Sequence, residues 1–432
     1  MRLFGTMEVR DNNLYIGGVS CKNLKDEYGT PLYVIDEEFL RGRCKEYYNN
    51  FGVEKYGNKV AYAGKAFLTI AMCQIIKEEG LFLDVVSSGE LYTALKANFP
   101  MEKIYFHGNN KTLDEIEMGI ELGVGRFVVD NFYEMNNINE MAGKKGIKQS
   151  ILLRITPGIE AHTHDYIKTG QVDSKFGFSM VNQEVYKAVE KAINLPNINL
   201  SGIHCHIGSQ IFETTPYEEA VDVMFEILRE IKDKYDYEIN EVDLGGGFGI
   251  YYTKEDKPKE TKEYCEAILK RAINKSKELG IKLPMLGIEP GRSIIGNAAT
   301  LIYTIGAIKD IPGVRKYASI DGGMNDNIRP ALYEAKYECE IANNMNSEER
   351  ELVTIAGKCC ETGDIVIKDA YISKCKSGDI LAIPSVGAYG YSMASNYNKI
   401  TKPAVVLVKN GRTKLMCKRE SFDDMLKNEL NL

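Results

Sequence analysis

The sequence predicts an α/β protein that combines a (β/α)8 barrel of the TIM type with a mostly β C-terminal domain completed by the N-terminal arm. Two observations on the 432 residues carry this prediction. From residue 36 to residue 290, apolar strand-like runs alternate with longer amphipathic stretches, and the span matches the ~250 residues of a closed barrel. Residues 1–35 and 291–432 instead carry short β-rich runs with few helical windows, which indicates a second domain.

The predicted elements follow one another in a regular order. After a leading helix, EEFLRGRCKEYYNNF, the barrel strands are predicted at KVAYAGK, LFLDVVS, KIYFHG, RFVVDN, ILLRITP, LSGIHCHIG, EVDLGGG and MLGIEPG. The β domain is predicted from LYIGGV and PLYVID in the N-terminal arm and from later runs such as TLIYTIGAI, KYASID, DIVIKDAYI, DILAIPS and PAVVLV. An open doubly wound sheet is the alternative. It is disfavoured because the first strand ends in Ala63-Gly64-Lys65-Ala66, which is not a dinucleotide-binding glycine turn.

Composition excludes several classes of protein. The hydrophobic fraction of 44%, the charged fraction of 27% and the net charge of −7 are typical of a globular chain without a nucleic-acid or anionic-membrane partner. The apolar runs are too short for a membrane helix, and the start MRLFGTMEVR lacks the apolar core of a signal peptide. Ten cysteines are too sparse for a disulfide scaffold, so we expect a cytoplasmic protein with reduced thiols.

Charged side chains are predicted at the carboxyl ends of five barrel strands, the rim on which such barrels carry their active sites. Side chains alternate along a strand, so placing the apolar residues outward turns their neighbours inward. The side chains predicted to meet at this rim are Lys65, Asp84, Arg154, His204, His206 and Glu289. Each alone could be a solvated loop charge or a structural histidine. Their convergence indicates a site, because unpaired buried charge is costly.

Loops that follow the last strands have the composition of a phosphate site. The relevant residues are Ser209 after the sixth strand, Gly245, Gly246 and Gly247 after the seventh, and Pro290, Gly291 and Arg292 after the eighth. A phosphate clamp, a lysine able to form a Schiff base and a carboxylate for a pyridine nitrogen together indicate pyridoxal 5'-phosphate. We expect no metal site, because the HxH pair lacks a nearby third ligand and adjacent cysteines do not have zinc-site spacing.

A series of short motifs extends over nearly the whole chain. They include Tyr62-Ala-Gly-Lys65-Ala, Ser174-Lys-Phe-Gly177, His204-Cys-His-Ile-Gly-Ser-Gln210, Asp321-Gly-Gly-Met, Arg329-Pro-Ala-Leu-Tyr333, Cys360-Glu-Thr-Gly-Asp364 and Gly387-Ala-Tyr389. With these motifs the chain resembles the alanine-racemase-type barrel family of PLP-dependent decarboxylases. The members that it most resembles act on meso-2,6-diaminopimelate, so the resemblance implies decarboxylation to L-lysine and CO2, the last step of lysine biosynthesis. The departures from the usual pattern, at Ser88 and Thr156, do not touch the proposed chemistry.

The resemblance also implies a role for each matching residue. Lys65 would hold the cofactor covalently, His206 would stack on its ring, and Glu289 would pair with its nitrogen. The other implied cofactor-binding residues are Asp84, Arg154, Ser209, Gly245, Gly246, Gly247, Pro290, Gly291, Arg292 and Tyr389. The implied substrate-binding residues are Arg292, Arg329, Tyr333, Glu361 and Tyr389. Cys360 would be the acid that returns a proton to the α-carbon. In relatives its loop crosses to a partner subunit, so a homodimer with shared active sites is expected.

Other functions remain open at this point. A related decarboxylase of ornithine, arginine or carboxynorspermidine would share Lys65, Glu289 and Cys360. Ornithine and arginine, however, end in a bare cation that has no use for Arg329. Alanine racemase is disfavoured because it pairs an arginine with the pyridine nitrogen. A PLP-binding protein without catalysis is the third possibility, but such relatives are essentially the barrel alone.

Overall fold

The computed structural model describes residues 1–158 and 174–432. These residues form two compact units. The β unit consists of Met1–Arg43, Ile250–Asp256 and Ile294–Leu432, and the barrel unit consists of Cys44–Gly249 and Lys257–Ser293.

The first part of the chain contributes short strands and three helices. They are β1 (Glu8–Arg10), β2 (Asn13–Ile16), β3 (Val19–Ser20), α1 (Cys21–Tyr28), β4 (Leu32–Asp36), α2 (Glu37–Asn50) and α3 (Val53–Tyr56). Strands β1 to β3 form a small antiparallel sheet. Helix α2 is the predicted leading helix, and its acidic residues Glu37 and Glu38 lie in its first turn, where the helix dipole favours negative charge.

Strands and helices then alternate through the barrel unit. In order they are β5 (Lys59–Ala63), α4 (Ile70–Glu78), β6 (Phe82–Val85), α5 (Ser88–Lys96), β7 (Ile104–Phe106), α6 (Leu113–Leu122), β8 (Arg126–Val129), α7 (Phe132–Lys145), β9 (Gln149–Thr156), β10 (Phe178–Ser179), α8 (Glu184–Asn194), β11 (Ile198–Cys205), α9 (Thr215–Tyr235), β12 (Glu241–Asp243), α10 (Thr261–Leu279) and β13 (Met285–Ile288). In the part of the chain that the structure describes, no helix is long and apolar enough to span a bilayer.

The barrel is closed and its strands are parallel. The neighbouring strands run β9-β11-β12-β13-β5-β6-β7-β8, and β8 pairs with β9 to complete the ring, while β10 adds to β9. The interior between the strands is filled by apolar side chains, and Ala61, Tyr105, Val128 and Leu152 form one buried cluster. The predicted barrel is therefore confirmed, and its inward positions follow the alternation of the strands.

A charged cluster fills the amino-terminal end of the barrel. Glu241, at the start of β12, accepts hydrogen bonds from Lys59 Nζ over 3.1 Å and from Arg126 Nε over 2.8 Å. It also accepts one from the hydroxyl of Tyr105. Glu241 is only 2% exposed, so these partners offset the cost of burying its charge. The charged groups at this end of the barrel stabilise the fold. A functional site is therefore expected at the other end, where the strands have their carboxyl termini.

The last part of the chain forms the larger sheet of the β unit. Its elements are α11 (Arg292–Ile295), β14 (Ala299–Ile311), β15 (Arg315–Ile320), α12 (Arg329–Tyr333), β16 (Glu340–Ile341), β17 (Arg350–Ala356), β18 (Ile365–Ser373), β19 (Ile380–Pro384), β20 (Ala404–Lys409), β21 (Arg412–Cys417) and α13 (Phe422–Leu426). The strand order is β18-β17-β15-β14-β4-β20-β21, and β19 pairs with β14 and β16. Strand β4 lies between β14 and β20, so the N-terminal arm completes this sheet as predicted.

Candidate active site

Polar side chains from several strands meet at the carboxyl end of the barrel. Lys65 follows β5, Asp84 lies in β6, His107 follows β7, His204 lies in β11 and Glu289 follows β13. All except Lys65 are at most 5% exposed. Lys65 Nζ is 4.0 Å from Oδ2 of Asp84. The structure thus brings together the lysine, the two carboxylates and the first histidine that the strand alternation placed inward.

Glu289 lies between two imidazoles. His107 Nε2 is 2.6 Å from its Oε1, and His204 Nε2 is 3.2 Å from its Oε2. Burial alone would raise the pKa of Glu289, but the two histidines hold that pKa well below its usual range. Burial lowers the pKa of His204, although the neighbouring Glu289 opposes that change, and its Nε2 is within hydrogen-bond distance of the carboxylate. Glu289 is therefore an ionised carboxylate with one histidine at each oxygen.

Asp84 is a buried carboxylate with few partners. Within the described residues neither of its side-chain oxygens has a hydrogen-bond partner. Burial raises its pKa to about 6, although the neighbouring His107 opposes that rise. His107 Nε2 lies 3.8 Å from its Oδ1, and Lys65 Nζ lies 4.0 Å from its Oδ2. Buried oxygens without partners indicate a polar group that the protein is built to receive.

His206 and Arg154 are each fixed by a neighbouring loop. Burial lowers the pKa of His206 well below its usual value, and its Nδ1 accepts the N–H of Gly246 over 3.3 Å. The guanidinium of Arg154 stacks at 4.2 Å from the ring centroid of Phe176. The neutral ring of His206 suits stacking on a flat cofactor. Arg154 is held by the loop that contains the Ser174–Gly177 motif.

The glycine loops form a cradle that side chains could not enter. A Cβ atom on Gly246 would lie 2.1 Å from the carbonyl oxygen of Glu289, and one on Gly247 would lie 2.3 Å from that of Gly208. Gly245 and Gly247 also have φ angles of 69° and 97°, in the left-handed region. Only glycine fits these positions, and the N–H groups of Gly245 and Gly246 donate to Oδ1 of Asp243 and Nδ1 of His206.

Two side chains and a proline complete the same rim. Arg292, 7% exposed, donates from Nη2 to Oγ of Ser209 over 2.9 Å. The carbonyl of Pro290 accepts the N–H of Ala63 over 3.3 Å, and a Cβ on Gly291 would lie 2.9 Å from Cβ of Ala63. These contacts join the loop after β13 to the end of β5, the strand that Lys65 follows. A guanidinium and a hydroxyl are donors of the kind that a phosphate requires.

The barrel rim fits pyridoxal 5'-phosphate on the evidence of its own side chains. It supplies a lysine for the aldehyde, the ionised Glu289 for the pyridine nitrogen and the glycine cradle for the phosphate. The oxygens of Asp84, which have no hydrogen-bond partner among the described residues, provide a further acceptor within the same cluster.

The predicted substrate-binding arginine lies in the β unit. Arg329 begins α12 and is 8% exposed, and its Nη1 donates to the hydroxyls of Tyr252 over 3.0 Å and Tyr337 over 2.8 Å. Within the described residues no carboxylate lies within ion-pair distance of this guanidinium. Tyr333, at the end of α12, is half-buried, and so is Tyr389, whose φ angle is 61°. Among the described residues, Arg329 is thus a buried cation without an anionic partner.

The predicted acid, Cys360, lies on an exposed loop that is fixed at several points. Its own N–H donates to Oδ1 of Asn398 over 2.7 Å. The preceding N–H, of Cys359, donates to Oδ2 of Asp364 over 2.8 Å, and the other oxygen of Asp364 accepts the N–H of Met324 over 2.7 Å. Cys360 and Glu361 are both exposed in the single chain. The thiol of Cys360 therefore lies on a loop whose backbone is fixed by hydrogen bonds.

Three residues of these clusters were not among the predicted site residues. His107 could have been found, because alternation along KIYFHG turns it inward once Phe106 is placed outward. Tyr252 and Tyr337 carried no such signal, since a lone tyrosine is ordinary in a buried position.

Comparisons with known proteins agree with this geometry. The sequence model for "Pyridoxal-dependent decarboxylase, pyridoxal binding domain" matches residues 38–296. A diaminopimelate decarboxylase of Bacillus subtilis (strain 168) is 49% identical, with 100% of this chain and 98% of the relative covered. One of Bacillus methanolicus is 52% identical over 97% of this chain and 98% of the relative. The crystal structure of the diaminopimelate decarboxylase from M. jannaschii in complex with L-lysine is 38% identical, with a TM-score of 0.93 over 99% of this chain and 98% of that chain.

Proposed function

Because the chain belongs to the pyridoxal-dependent decarboxylases and, within them, to the diaminopimelate decarboxylases, we propose that it converts meso-2,6-diaminopimelate to L-lysine and CO2. This would be the last step of lysine biosynthesis, with pyridoxal 5'-phosphate as the cofactor. The observation that carries the choice of substrate is the buried guanidinium of Arg329, whose only side-chain partners in the described residues are two phenol hydroxyls.

A buried cation without an anion is costly unless a ligand supplies the opposite charge. Meso-diaminopimelate carries a carboxylate at both ends, so one can leave while the other stays bound to Arg329. The retained carboxylate is the one that L-lysine keeps. Ornithine or arginine, attached through the reacting end, would present only a cation to Arg329. The geometry therefore favours a substrate with a distal carboxylate over the related basic amino acids.

The residues of the barrel rim have separable tasks in this proposal. When bound, the cofactor supplies a protonated ring that accepts the electron pair left behind as CO2 departs. Lys65 would anchor it, and Glu289, kept ionised by His107 and His204, would favour a proton on the ring nitrogen. His206 would cover one face of the ring. Gly245 to Gly247, with Ser209 and Arg292, would hold the phosphate. Tyr389 would also contact the phosphate. The remaining residues that would bind the cofactor are Asp84, Arg154, Pro290 and Gly291.

The β unit would supply the acid and the contacts to the rest of the substrate. Cys360 would donate a proton to the carbon that has lost its carboxylate, and Glu361 would pair with the distal ammonium. Tyr333, Tyr389 and Arg292 would complete the substrate contacts. We further propose a homodimer in which Cys360 and Glu361 of one subunit serve the other. Their exposure in the single chain supports this, because an acid at a decarboxylation site has to be shielded from water.

We also propose a cytoplasmic location. The ten cysteines, all of which lie in the described residues, are free thiols, and nine of them are buried or half-buried. A chain that depends on a reduced cysteine as an acid suits a reducing compartment.

The proposed reaction is tested by incubating the protein with pyridoxal 5'-phosphate and meso-diaminopimelate. Stoichiometric release of CO2 and L-lysine is expected. L-ornithine, L-arginine and L-lysine, offered under the same conditions, should release little or no CO2. Preferential turnover of one of these three would contradict the proposed substrate and would favour a decarboxylase of a basic amino acid.

A further inference from the structure

Two buried tyrosines share one nitrogen of Arg329. Tyr252 and Tyr337 are 8% and 5% exposed, and both hydroxyls accept hydrogen bonds from Nη1, over 3.0 Å and 2.8 Å. Their rings meet edge to face, with centroids 5.4 Å apart and an interplanar angle of 86°. The guanidinium carbon lies 5.1 Å from the centroid of Tyr252. Arg329 is therefore held by two hydrogen bonds from Nη1 and lies close to the ring of Tyr252.

This arrangement determines which edge of the guanidinium is left for a ligand. A guanidinium has five N–H donors, and two of them belong to Nη1. The two phenols account for both. The Nε–H and the Nη2 protons have no acceptor within the described part of the chain. The edge formed by Nε and Nη2 presents two parallel N–H groups, which match the two oxygens of one carboxylate.

We propose that Tyr252 and Tyr337 are positioning residues that hold Arg329 with its Nε–Nη2 edge toward the distal carboxylate of the substrate, and so determine specificity for that carboxylate. The inference rests on the proposed function, because that function supplies the distal carboxylate.

The chemistry of the two partners supports this assignment. An aspartate or glutamate at either position would also hold the guanidinium, but it would neutralise the charge that a substrate carboxylate needs. A phenol accepts the hydrogen bond and stays neutral. Burial raises the pKa of Tyr337, although the charge on Arg329 opposes that rise, so its hydroxyl stays protonated at neutral pH. The pair orients the cation without neutralising it.

The test compares two ligands that differ only in the carboxylate. L-lysine carries the carboxylate that Arg329 would bind, and 1,5-diaminopentane is the same diamine without it. Binding of each to the holoenzyme is measured by titration calorimetry for wild type, Tyr252→Phe, Tyr337→Phe and the double variant. Phenylalanine keeps the ring and removes only the hydroxyl. Tyr371→Phe is the matched control, because Tyr371 is 64% exposed on β18.

Each single variant should lower the affinity for L-lysine by about 3- to 10-fold, because a hydrogen bond to a charged group is lost. The double variant should lower it by more than about 20-fold. The affinity for 1,5-diaminopentane should change by less than about twofold in every variant, as should both affinities in Tyr371→Phe. Arg329→Lys keeps the charge but cannot donate two parallel hydrogen bonds, so it should also lower the affinity for L-lysine and leave that for 1,5-diaminopentane unchanged.

Equal losses for both ligands would mean that the tyrosines only support the fold, and unchanged affinity for L-lysine would mean that they do not act on Arg329. Either result overturns the inference. If the wild type releases no CO2 from meso-diaminopimelate while the variants still lose L-lysine selectively, the proposed function is wrong and the assignment of the tyrosines stands.

Discussion

The backbone N–H of Cys360 donates to the side-chain oxygen of Asn398 over 2.7 Å. The side chain of Asn398 thus fixes the backbone of the cysteine and leaves its thiol exposed. On the other side, Asp364 accepts the N–H of Cys359 and ties the loop to Met324. Burial, with the charge of Asp364 as a further cause, raises the pKa of Cys359 to about 11, so the first cysteine of the pair is an inert thiol. Of the two adjacent cysteines, only Cys360 is presented for chemistry.

Replacing Cys360 with alanine should keep cofactor binding and lose most of the turnover. General acid catalysis typically contributes ~10²- to 10⁴-fold to a rate, so kcat should fall within that range. The cofactor's visible absorbance band should be unchanged, and the absence of tryptophan makes its near-ultraviolet bands easy to follow. A variant that turns over normally would remove Cys360 from the mechanism.

The same variant tests whether sites are shared between subunits. Mixing inactive Cys360→Ala with inactive Lys65→Ala should restore part of the activity, because one of the two sites in a mixed dimer would then be intact. Exchange of subunits is checked with a tagged chain. A mixed dimer that forms and stays inactive would count against the shared site.

Lys65 should be the residue that carries the cofactor. It is the lysine beside Asp84 at the carboxyl end of the barrel, with 4.0 Å between Nζ and Oδ2. Borohydride reduction followed by peptide mapping should place the pyridoxyl group on Lys65. Lys65→Ala should prevent the labelling, and Lys144→Ala, at a lysine whose side chain is 67% exposed, should not. Labelling of a different lysine in the wild type would refute the assignment.

Arg329→Ala should lower kcat/KM for meso-diaminopimelate by more than ~30-fold. Loss of one partner of a desolvated charge pair costs on the order of 2–5 kcal/mol, and each 1.36 kcal/mol is a factor of ten. Residual activity on ornithine, which would be attached through its reacting end without a distal carboxylate, should change little. Steady-state kinetics on both kinds of substrate distinguish a loss of kcat/KM for meso-diaminopimelate alone from a loss of activity on every substrate. Normal turnover of meso-diaminopimelate would make Arg329 an ordinary structural arginine.

Alternation of strands and helices was enough to predict the barrel, and alternation along strands was enough to predict Lys65, Asp84, His204 and Glu289 at one rim. Both are local properties of the chain. The hydrogen bond between Tyr252 and Arg329 spans 77 residues, and no local pattern records a pairing that only the folded chain creates. The burial of Glu241 could not be predicted for a related reason, because a single charged residue at the start of a strand is usually exposed to solvent.

Glu241→Gln should destabilise the protein by about 3–5 kcal/mol. The substitution removes the charge that Lys59 and Arg126 share at the base of the barrel, and uncompensated buried cations are costly. Urea unfolding should show a lower midpoint. Glu121→Gln is the control, because Glu121 pairs with Lys145 at the surface, with side chains 51% and 49% exposed, and no resolvable change in the midpoint is expected there. Equal effects of the two substitutions would contradict a special role for the buried cluster.

Asp326 should make the β unit less stable as the pH rises. Burial, together with the charges of Asp321 and Asp364, raises its pKa to about 7 from a model-peptide value near 4. Between these values the native state binds more protons than the unfolded state, so the free energy of unfolding falls as pH rises, by a few kcal/mol at most. Urea unfolding from pH 5 to pH 8 measures the slope, which should be shallower in Asp326→Asn. An unchanged slope in that variant would assign the pH dependence to other groups.

The position of β4 between β14 and β20 has a consequence for synthesis on the ribosome. All five residues of β4 are buried, yet the partner β20 begins only at Ala404. At ~5–20 residues per second, the ribosome completes β20 roughly 20 to 75 seconds after β4 has been made. During that time the strands of the barrel can close, while β4 waits as an exposed apolar edge. A nascent chain that stalls after the barrel would carry this edge uncovered, and such edges recruit other chains. Chaperone demand should therefore be concentrated at the beginning of the polypeptide, far from the residues that do the chemistry.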